Sequence, residues 1–325
     1  MTGLALVGFG KWGVRMLDSV KGEDSRAKFS TIVTRSPERV AAEAKARGLK
    51  VLKSLDEAIA DPSIEGFVLA TPHSLHAEQV IACAAGKKAV FVEKPFALTR
   101  ESCARALKAA ADAGIVVAAG HNRRFLPAMT RMKEMIAAGE LGTIMHIDTD
   151  YTGGAALEYD PAHWRSTPGE SPAGGLAGSG IHMIDAIIGL AGPISNVFAT
   201  AVRRAVKLPI ADTTTVLFTL QSGATASLTN IVATVRSFRI KVFGSEGAVE
   251  LRGEKQLVIT PRKGESRTET IPALDMTRAE LEAFSDAIKG VAPYPITPAE
   301  ILNGIATFEA VCQSAESAKQ VAIQQ

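Results

Sequence analysis

The chain has 325 residues, with 36 Lys and Arg against 34 Asp and Glu and a formal net charge of +2. Hydrophobic residues make up 46% and charged residues 22%, which excludes a disordered chain or a polyanion binder, and no apolar run nears the ~20 residues of a membrane span. No basic stripe with interleaved aromatics points to nucleic acid, and at roughly 100–200 residues per domain the length predicts two domains.

Residues 3–7 read as a short apolar strand, followed by Gly8-Phe9-Gly10-Lys11-Trp12-Gly13 and a helix to about Val20. Residues 29–34 read as a second strand. Ser36-Pro37 then supplies an N-cap and a first-turn proline for a helix closed by Gly48. Ser54 and Glu57 have capping-box spacing. Residues 66–70 are apolar throughout, as in a strand covered on both faces, and Thr71-Pro72-His73 opens a helix to Gly86. A strand at 89–92 ends at Glu93-Lys94-Pro95, a helix at 99–113 stops at Gly114, and 115–119 gives one more strand. This alternation predicts a parallel, doubly wound sheet.

After Gly120 the pattern changes. A helix at 127–138 and an extended run at 143–151 lead into a loop rich in Gly and Pro, through Gly175. A helix at 179–190 precedes β-rich stretches at 197–206, 213–220, 224–232 and 238–243, and helices at 277–289 and 298–318 end the chain. Strands at this spacing predict an open, mainly antiparallel sheet. The expected fold is therefore α/β, with a dinucleotide-binding domain at 1–121 and a second, α+β domain for substrate and oligomerisation at 122–325. The last helix is allowed to pack back on the first domain.

Three cysteines, Cys83, Cys103 and Cys312, are odd in number and far apart, which suits buried thiols in a reducing cytoplasm. The apolar run at 4–7 passes straight into a glycine turn, without the cleavage site of an export signal, so the expected location is cytoplasmic.

The glycine turn follows a strand and opens a helix, which is the context a dinucleotide fingerprint needs. Gly8 permits the tight turn, Gly10 lets the backbone reach a pyrophosphate, and Gly13 lets helix and strand pack. Phe9, Lys11 and Trp12 fall in the same cofactor-binding loop. Where NAD sites carry an acid at the end of the second strand, this chain has Thr34-Arg35-Ser36. A guanidinium and a hydroxyl suit a 2′-phosphate, which favours NADP over NAD. The other reading makes Arg35 a solvated residue and Ser36 only a helix cap.

Further motifs carry a resemblance. Ala70-Thr71-Pro72-His73-Ser74-Leu75-His76, Ala84-Ala85-Gly86-Lys87 and Glu93-Lys94-Pro95 resemble the Gfo/Idh/MocA family, the glucose–fructose oxidoreductase and inositol dehydrogenase group. Gly120-His121-Asn122-Arg123-Arg124-Phe125 is similar to its domain-junction motif, and His163-Trp164-Arg165 and Gly180-Ile181-His182-Met183-Ile184-Asp185 to its second-domain signature. The resemblance implies a Rossmann domain followed by a domain whose open sheet forms a homodimer or homotetramer interface. It implies hydride transfer between a nicotinamide and a carbinol or carbonyl carbon of a sugar, cyclitol or related ring. Ala70, Thr71, Pro72, His73, His76, Glu93, Lys94, Asn122, Trp164 and Arg165 would face the cofactor, and Lys94 and His182 would handle the proton. Arg123, Trp164, Arg165 and Asp185 would face the substrate.

Oxidising an alcohol by hydride loss needs a base for the hydroxyl proton. A lysine serves when its amine is kept neutral, and histidine is a natural proton carrier. Lys94 stands at a strand's carboxyl end, where doubly wound sheets bind ligands. Many family members carry Asp four residues before the signature histidine, but this chain has Gly178. Asp185, three residues after His182, is the remaining candidate partner for substrate or histidine. The gap leaves open an NADP-binding regulatory protein without turnover, and an NAD-dependent glycosidase using transient oxidation within the same fold is a further alternative. His73 and His76 lack a third ligand, so no metal is expected.

Overall fold

The computed structural model describes residues 2–323. The first strands and helices are β1 (Thr2–Val7), α1 (Lys11–Ser19), β2 (Ala27–Val33), α2 (Pro37–Ala46), β3 (Lys50–Leu52), α3 (Leu55–Ile59), β4 (Gly66–Leu69), α4 (His76–Ala85), β5 (Ala89–Glu93), α5 (Arg100–Ala113) and β6 (Val117–Gly120). Then follow α6 (Pro127–Ala137), β7 (Ile144–Thr152), α7 (Gly180–Ala191), β8 (Ile194–Val202), β9 (Thr213–Leu220), β10 (Thr225–Ile231), β11 (Ser237–Gly244), β12 (Gly247–Arg252), β13 (Gln256–Pro261) and β14 (Arg267–Thr270). The chain continues through α8 (Met276–Ile288), α9 (Pro298–Ser317) and β15 (Val321–Ala322).

The chain divides into two compact units, one ending at Asn122 but including Asp275–Ile301, the other comprising Arg123–Leu274 and the residues from Leu302 onward. In the first unit six parallel strands run in the order β3-β2-β1-β4-β5-β6. The order reverses beside β1, so the carboxyl ends of β1 and β4 form the ligand-binding crevice of such sheets. Leu4, Leu6, Ile32, Phe67, Leu69 and Phe91 are buried on the strands. Ser54 accepts from Glu57 N, as the capping-box spacing predicts, Thr99 accepts from Ser102 N, and Gly114 closes α5 with φ of 65°.

Segment 275–301 belongs with this first unit, although the sequence places it in the second domain. Packing gives the reason. Phe284 of α8 lies 5.8 Å from the Phe91 ring, and a Cβ on Gly66 would come within 2.9 Å of Ile288 Cδ1. Tyr294 donates to the Ala119 carbonyl at 2.9 Å. The last helix, α9, lies in the second unit from Leu302 onward, so the helix that returns is the penultimate one.

The second unit holds a nine-stranded sheet in the order β14-β13-β12-β11-β7-β10-β9-β8-β15. Only the β7–β10 pair is parallel. One face buries Ile147, Thr149, Val216, Phe218, Leu228, Ile240 and Val242, and α7 packs against it at β7 and β10. The opposite face stays open and mixes charged with apolar side chains. Strands β3, β12, β13, β14 and β15 carry no signal used above. β3 has three residues, β14 reads RTET without an apolar residue, and β12 buries Val249, Glu250 and Leu251 in succession, which breaks the alternation.

Candidate active site

Gly8 has φ of 93°, and a Cβ there would lie 2.7 Å from the Ala70 carbonyl oxygen. A Cβ on Gly13 would lie 2.9 Å from Gly8 O and 3.1 Å from Leu6 Cδ2. Gly10 is different: nothing lies within 4 Å of its Cβ position, and it starts α1 without any side-chain cap. Two glycines therefore close the turn onto β1 and β4, while the third leaves open space before unpaired N–H groups of a helix. A dinucleotide pyrophosphate fits that arrangement. Phe9 is half-buried, and Lys11 and Trp12 are exposed at the start of α1.

At the end of β2, Arg35 is exposed and has no ion-pair partner among the described residues. Ser36 precedes α2, but its side chain makes no cap hydrogen bond. The cap reading of Ser36 is therefore not realised, since Pro37 at the first helical position removes one donor and the hydroxyl meets no other N–H.

Ala70 directly follows β4, with its N–H on Val7 O at 2.8 Å. The Thr71 hydroxyl donates to Gln79 Oε1 at 2.7 Å. Pro72 leads into a short 3-10 turn at His73–Leu75, so α4 begins later than the sequence suggests. His73 and His76 are expected against the cofactor, yet both are buried, and both ring nitrogens of His76 face backbone carbonyls. His76 has no surface left for a ligand, and its role is corrected accordingly. Among the described residues no cluster of His, Cys, Asp and Glu could hold a metal.

At the end of β5, every residue from Ala89 to Ala97 is buried except Lys94. Glu93 is turned inward: its carboxylate accepts from Lys94 N at 3.3 Å and lies 3.1 Å from the Cβ position of Gly120. Glu93 is thus turned toward the backbone of its own loop and of β6. Asn122 is buried, and its Oδ1 has no hydrogen-bond partner among the described residues. An orphaned buried acceptor in the unit that carries the glycine turn is a further sign of a missing polar ligand.

The second unit carries its own candidate residues. His182 is buried in the first turn of α7, with its ring 6.1 Å from that of Tyr151. Arg123 donates to Glu254 at 2.8 Å and to the Tyr151 hydroxyl at 3.1 Å, with its guanidinium 5.2 Å from the Phe238 ring centre. These partners make Arg123 a brace for Tyr151 instead of the expected substrate contact. Asp185 is likewise taken: Arg124 donates to both of its oxygens, at 2.7 and 2.9 Å. A buried, doubly bonded carboxylate does not serve substrate, which corrects the role given to it above.

Tyr159, His163 and Trp164 stack in sequence at centroid distances of 5.4 and 5.7 Å, and the Arg165 guanidinium covers the indole at 4.4 Å. Arg165 Nε has no hydrogen-bond partner among the described residues. Gly178 lies before Ser179 at the start of α7, not within the helix, and only Gly175 O approaches its Cβ position, at 3.6 Å. Sequence reasoning missed Tyr151, Asn230 and Glu254. Tyr151 shares strand parity with buried Ile147 and Thr149, a signal open to a stricter period-two reading. Asn230, which donates to Ser179 Oγ and Tyr151 O at 2.7 Å each, left no such trace.

Residues 2–121 match the model of an oxidoreductase family with an NAD-binding Rossmann fold, and residues 129–250 match the GFO/IDH/MocA C-terminal domain. The chain belongs to the Gfo/Idh/MocA family. This Gfo/Idh/MocA chain is 36% identical over 139 residues to 4-carboxy-2-hydroxymuconate-6-semialdehyde dehydrogenase of Sphingobium sp., covering 42% of this chain and 44% of that protein. It spans about half the length, or less, of the first curated relatives it matches. Its match to inositol 2-dehydrogenase of Rhizobium meliloti is 27% identical and covers 98% of both chains. Levoglucosan dehydrogenase, solved in complex with NADH and levoglucosan, shares the fold with a TM-score of 0.91 at 23% identity, covering 100% of both chains. Among the described residues, no helix of this family member is long and apolar enough to cross a membrane.

Proposed function

We propose that this protein is an NAD(P)-dependent oxidoreductase acting on the CH–OH or C=O group of a sugar, cyclitol or related polyhydroxylated ring. The observation that carries the reading is Lys94, the one unburied residue of an otherwise buried run, at the carboxyl end of a strand in a sheet whose β1 bears the glycine turn. The whole-length similarity to inositol 2-dehydrogenase supports the substrate class.

When bound, a nicotinamide dinucleotide supplies the hydride acceptor or donor. Gly8, Gly10 and Gly13 hold the pyrophosphate at the start of α1, and Asn122 offers an acceptor. Lys94 Nζ takes the hydroxyl proton in oxidation and returns it in reduction, and within the second unit His182 is the side chain suited to a substrate hydroxyl. In the second unit, Arg165, stacked on Trp164, offers a cation to the substrate. NADP is the favoured coenzyme, because among the described residues Arg35 has no ion-pair partner and the Ser36 hydroxyl makes no cap bond, so both are available to a 2′-phosphate.

Incubation with NADP⁺ or NAD⁺ and a panel of polyols, sugars and sugar acids tests the activity by formation of reduced nicotinamide. No turnover together with no cofactor binding overturns it. Affinity for NADPH and NADH in Arg35→Ala tests coenzyme choice: an unchanged NADPH affinity removes the phosphate role.

A second reading, an NADP binder without turnover, draws on Gly178 and on Asp185 being engaged by Arg124. Tight cofactor binding with unaltered biological function in Lys94→Ala distinguishes it from the enzyme.

The open face of the second unit's sheet supports a homodimer or homotetramer. A cross-strand row runs Phe198, Leu217, Ser227, Asp148, Lys241 and Glu250, with Phe198 and Leu217 exposed by 41% and 57%. Arg239 bridges Asp148 and Asp150 at 2.7 and 2.6 Å on the same face. The three cysteine thiols, pushed up to about 12 by burial, are inert and suit a reducing cytoplasm.

A further inference from the structure

His76 is 0% exposed, and each ring nitrogen meets a backbone carbonyl: Nδ1 lies 2.8 Å from Pro95 O and Nε2 lies 3.0 Å from Thr71 O. A carbonyl oxygen only accepts. A neutral imidazole has one N–H and would aim a lone pair at one of these oxygens, whereas an imidazolium has two N–H groups and satisfies both. The two oxygens belong to the segments that leave β4 and β5. Thr71 is held twice from α4, through its carbonyl by His76 and through its hydroxyl by Gln79. Pro95 directly follows Lys94.

We propose that His76 is a positioning residue for Lys94, a buried imidazolium that ties the segment after Lys94 to the turn after β4. The inference rests on the functional reading above, in which Lys94 handles the proton. Charge-assisted hydrogen bonds are shorter and stronger than neutral ones, so one ring fixes two loop ends that no strand pairing holds. Lys94 is the long, flexible side chain of that buried run, and its backbone must be fixed if its amine is to meet one hydroxyl reproducibly. Of the titratable groups, His73 has its ring centre 6.1 Å from that of His76, and Glu93 and Lys94 precede Pro95 in the chain.

Nitrogen NMR of the histidine rings in the full chain without cofactor tests the charge state, with His76 assigned through its backbone resonances. Both ring nitrogens of His76 are expected to carry protons at neutral pH. A single neutral tautomer at His76 overturns the clamp. His76→Gln and His76→Phe then test positioning with a substrate found by the panel. Turnover is expected to fall about tenfold to a hundredfold with KM changed much less, and Gln, which keeps one donor, to retain more activity than Phe. Unchanged turnover in a folded His76→Phe also overturns it. Absence of turnover in the unaltered protein defeats the enzymatic reading, while the ring NMR still decides the state of His76.

Discussion

Arg124 grips Asp185 through two parallel hydrogen bonds, Nε to Oδ2 at 2.7 Å and Nη2 to Oδ1 at 2.9 Å, with both side chains more than nine-tenths buried. The pair clamps the helix that carries His182 to the segment following Asn122. Gly189 makes room for it, since a Cβ there would lie 2.3 Å from Arg124 Cζ. Removing one partner of a buried pair leaves the other uncompensated. Arg124→Ala is therefore expected to destabilise the protein by about 3–5 kcal/mol, measured by denaturant unfolding. Gly189→Ala should destabilise it too. A loss under about 1 kcal/mol in Arg124→Ala, the range of exposed pairs, would contradict the buried-pair account.

The same pair shows where sequence reading reached and where it stopped. The doubly wound sheet was legible because each buried strand is an unbroken apolar run between helix signals, as in Gly66–Leu69 and Ala89–Glu93. The Gly8–Gly13 turn was legible because its chemistry is local. Asp185 was misassigned because helix spacing says which residues share a face, not what meets them: its partner lies 61 positions away. His76 failed for a similar reason, since its two acceptors are backbone oxygens with no residue identity to read. Strand β14 could not be found from alternation, because Arg267-Thr268-Glu269-Thr270 has nothing apolar to alternate.

Gly8 and Gly10 separate folding from cofactor binding. Gly8→Ala meets a left-handed φ and the Ala70 carbonyl, so it should lower both thermal stability and NADPH affinity. Gly10→Ala meets no protein atom within 4 Å and should leave stability unchanged while weakening NADPH binding by about tenfold or more. Calorimetric titration beside thermal unfolding reads the two effects. Full NADPH affinity in Gly10→Ala would place the pyrophosphate elsewhere.

Asp212 gives a pH dependence of known sign. Burial works to raise its carboxyl, but backbone N–H groups of Ala205, Val206 and Arg204 outweigh burial and hold it below its ordinary value of 3.8. A depressed folded-state pKa adds stability that is full above the unfolded value and disappears as pH falls through the folded one. Asp212→Ala should therefore cost about 1.5–3 kcal/mol at neutral pH, with the difference from the unaltered protein shrinking below about pH 4. A difference independent of pH down to strongly acidic solution would mean that Asp212 acts through packing alone.

Gly178 offers the sharpest test of the substrate side. Its Cβ position is approached only by Gly175 O at 3.6 Å, an ordinary contact, and its backbone does not demand glycine. Helix α7 has no acidic residue in its first turn, so a carboxylate just before it also meets the favourable end of the helix dipole. Gly178→Asp is therefore expected to be neutral or to stabilise by up to about 1 kcal/mol. If His182 faces the substrate hydroxyl as proposed, the new carboxylate should lower KM for polyols several-fold and raise the histidine pKa, moving the acidic limb of the rate profile upward. A well-folded Gly178→Asp with unaltered KM and pH profile would show that the first turn of α7 does not form the substrate wall, and would leave His182 without its assigned role.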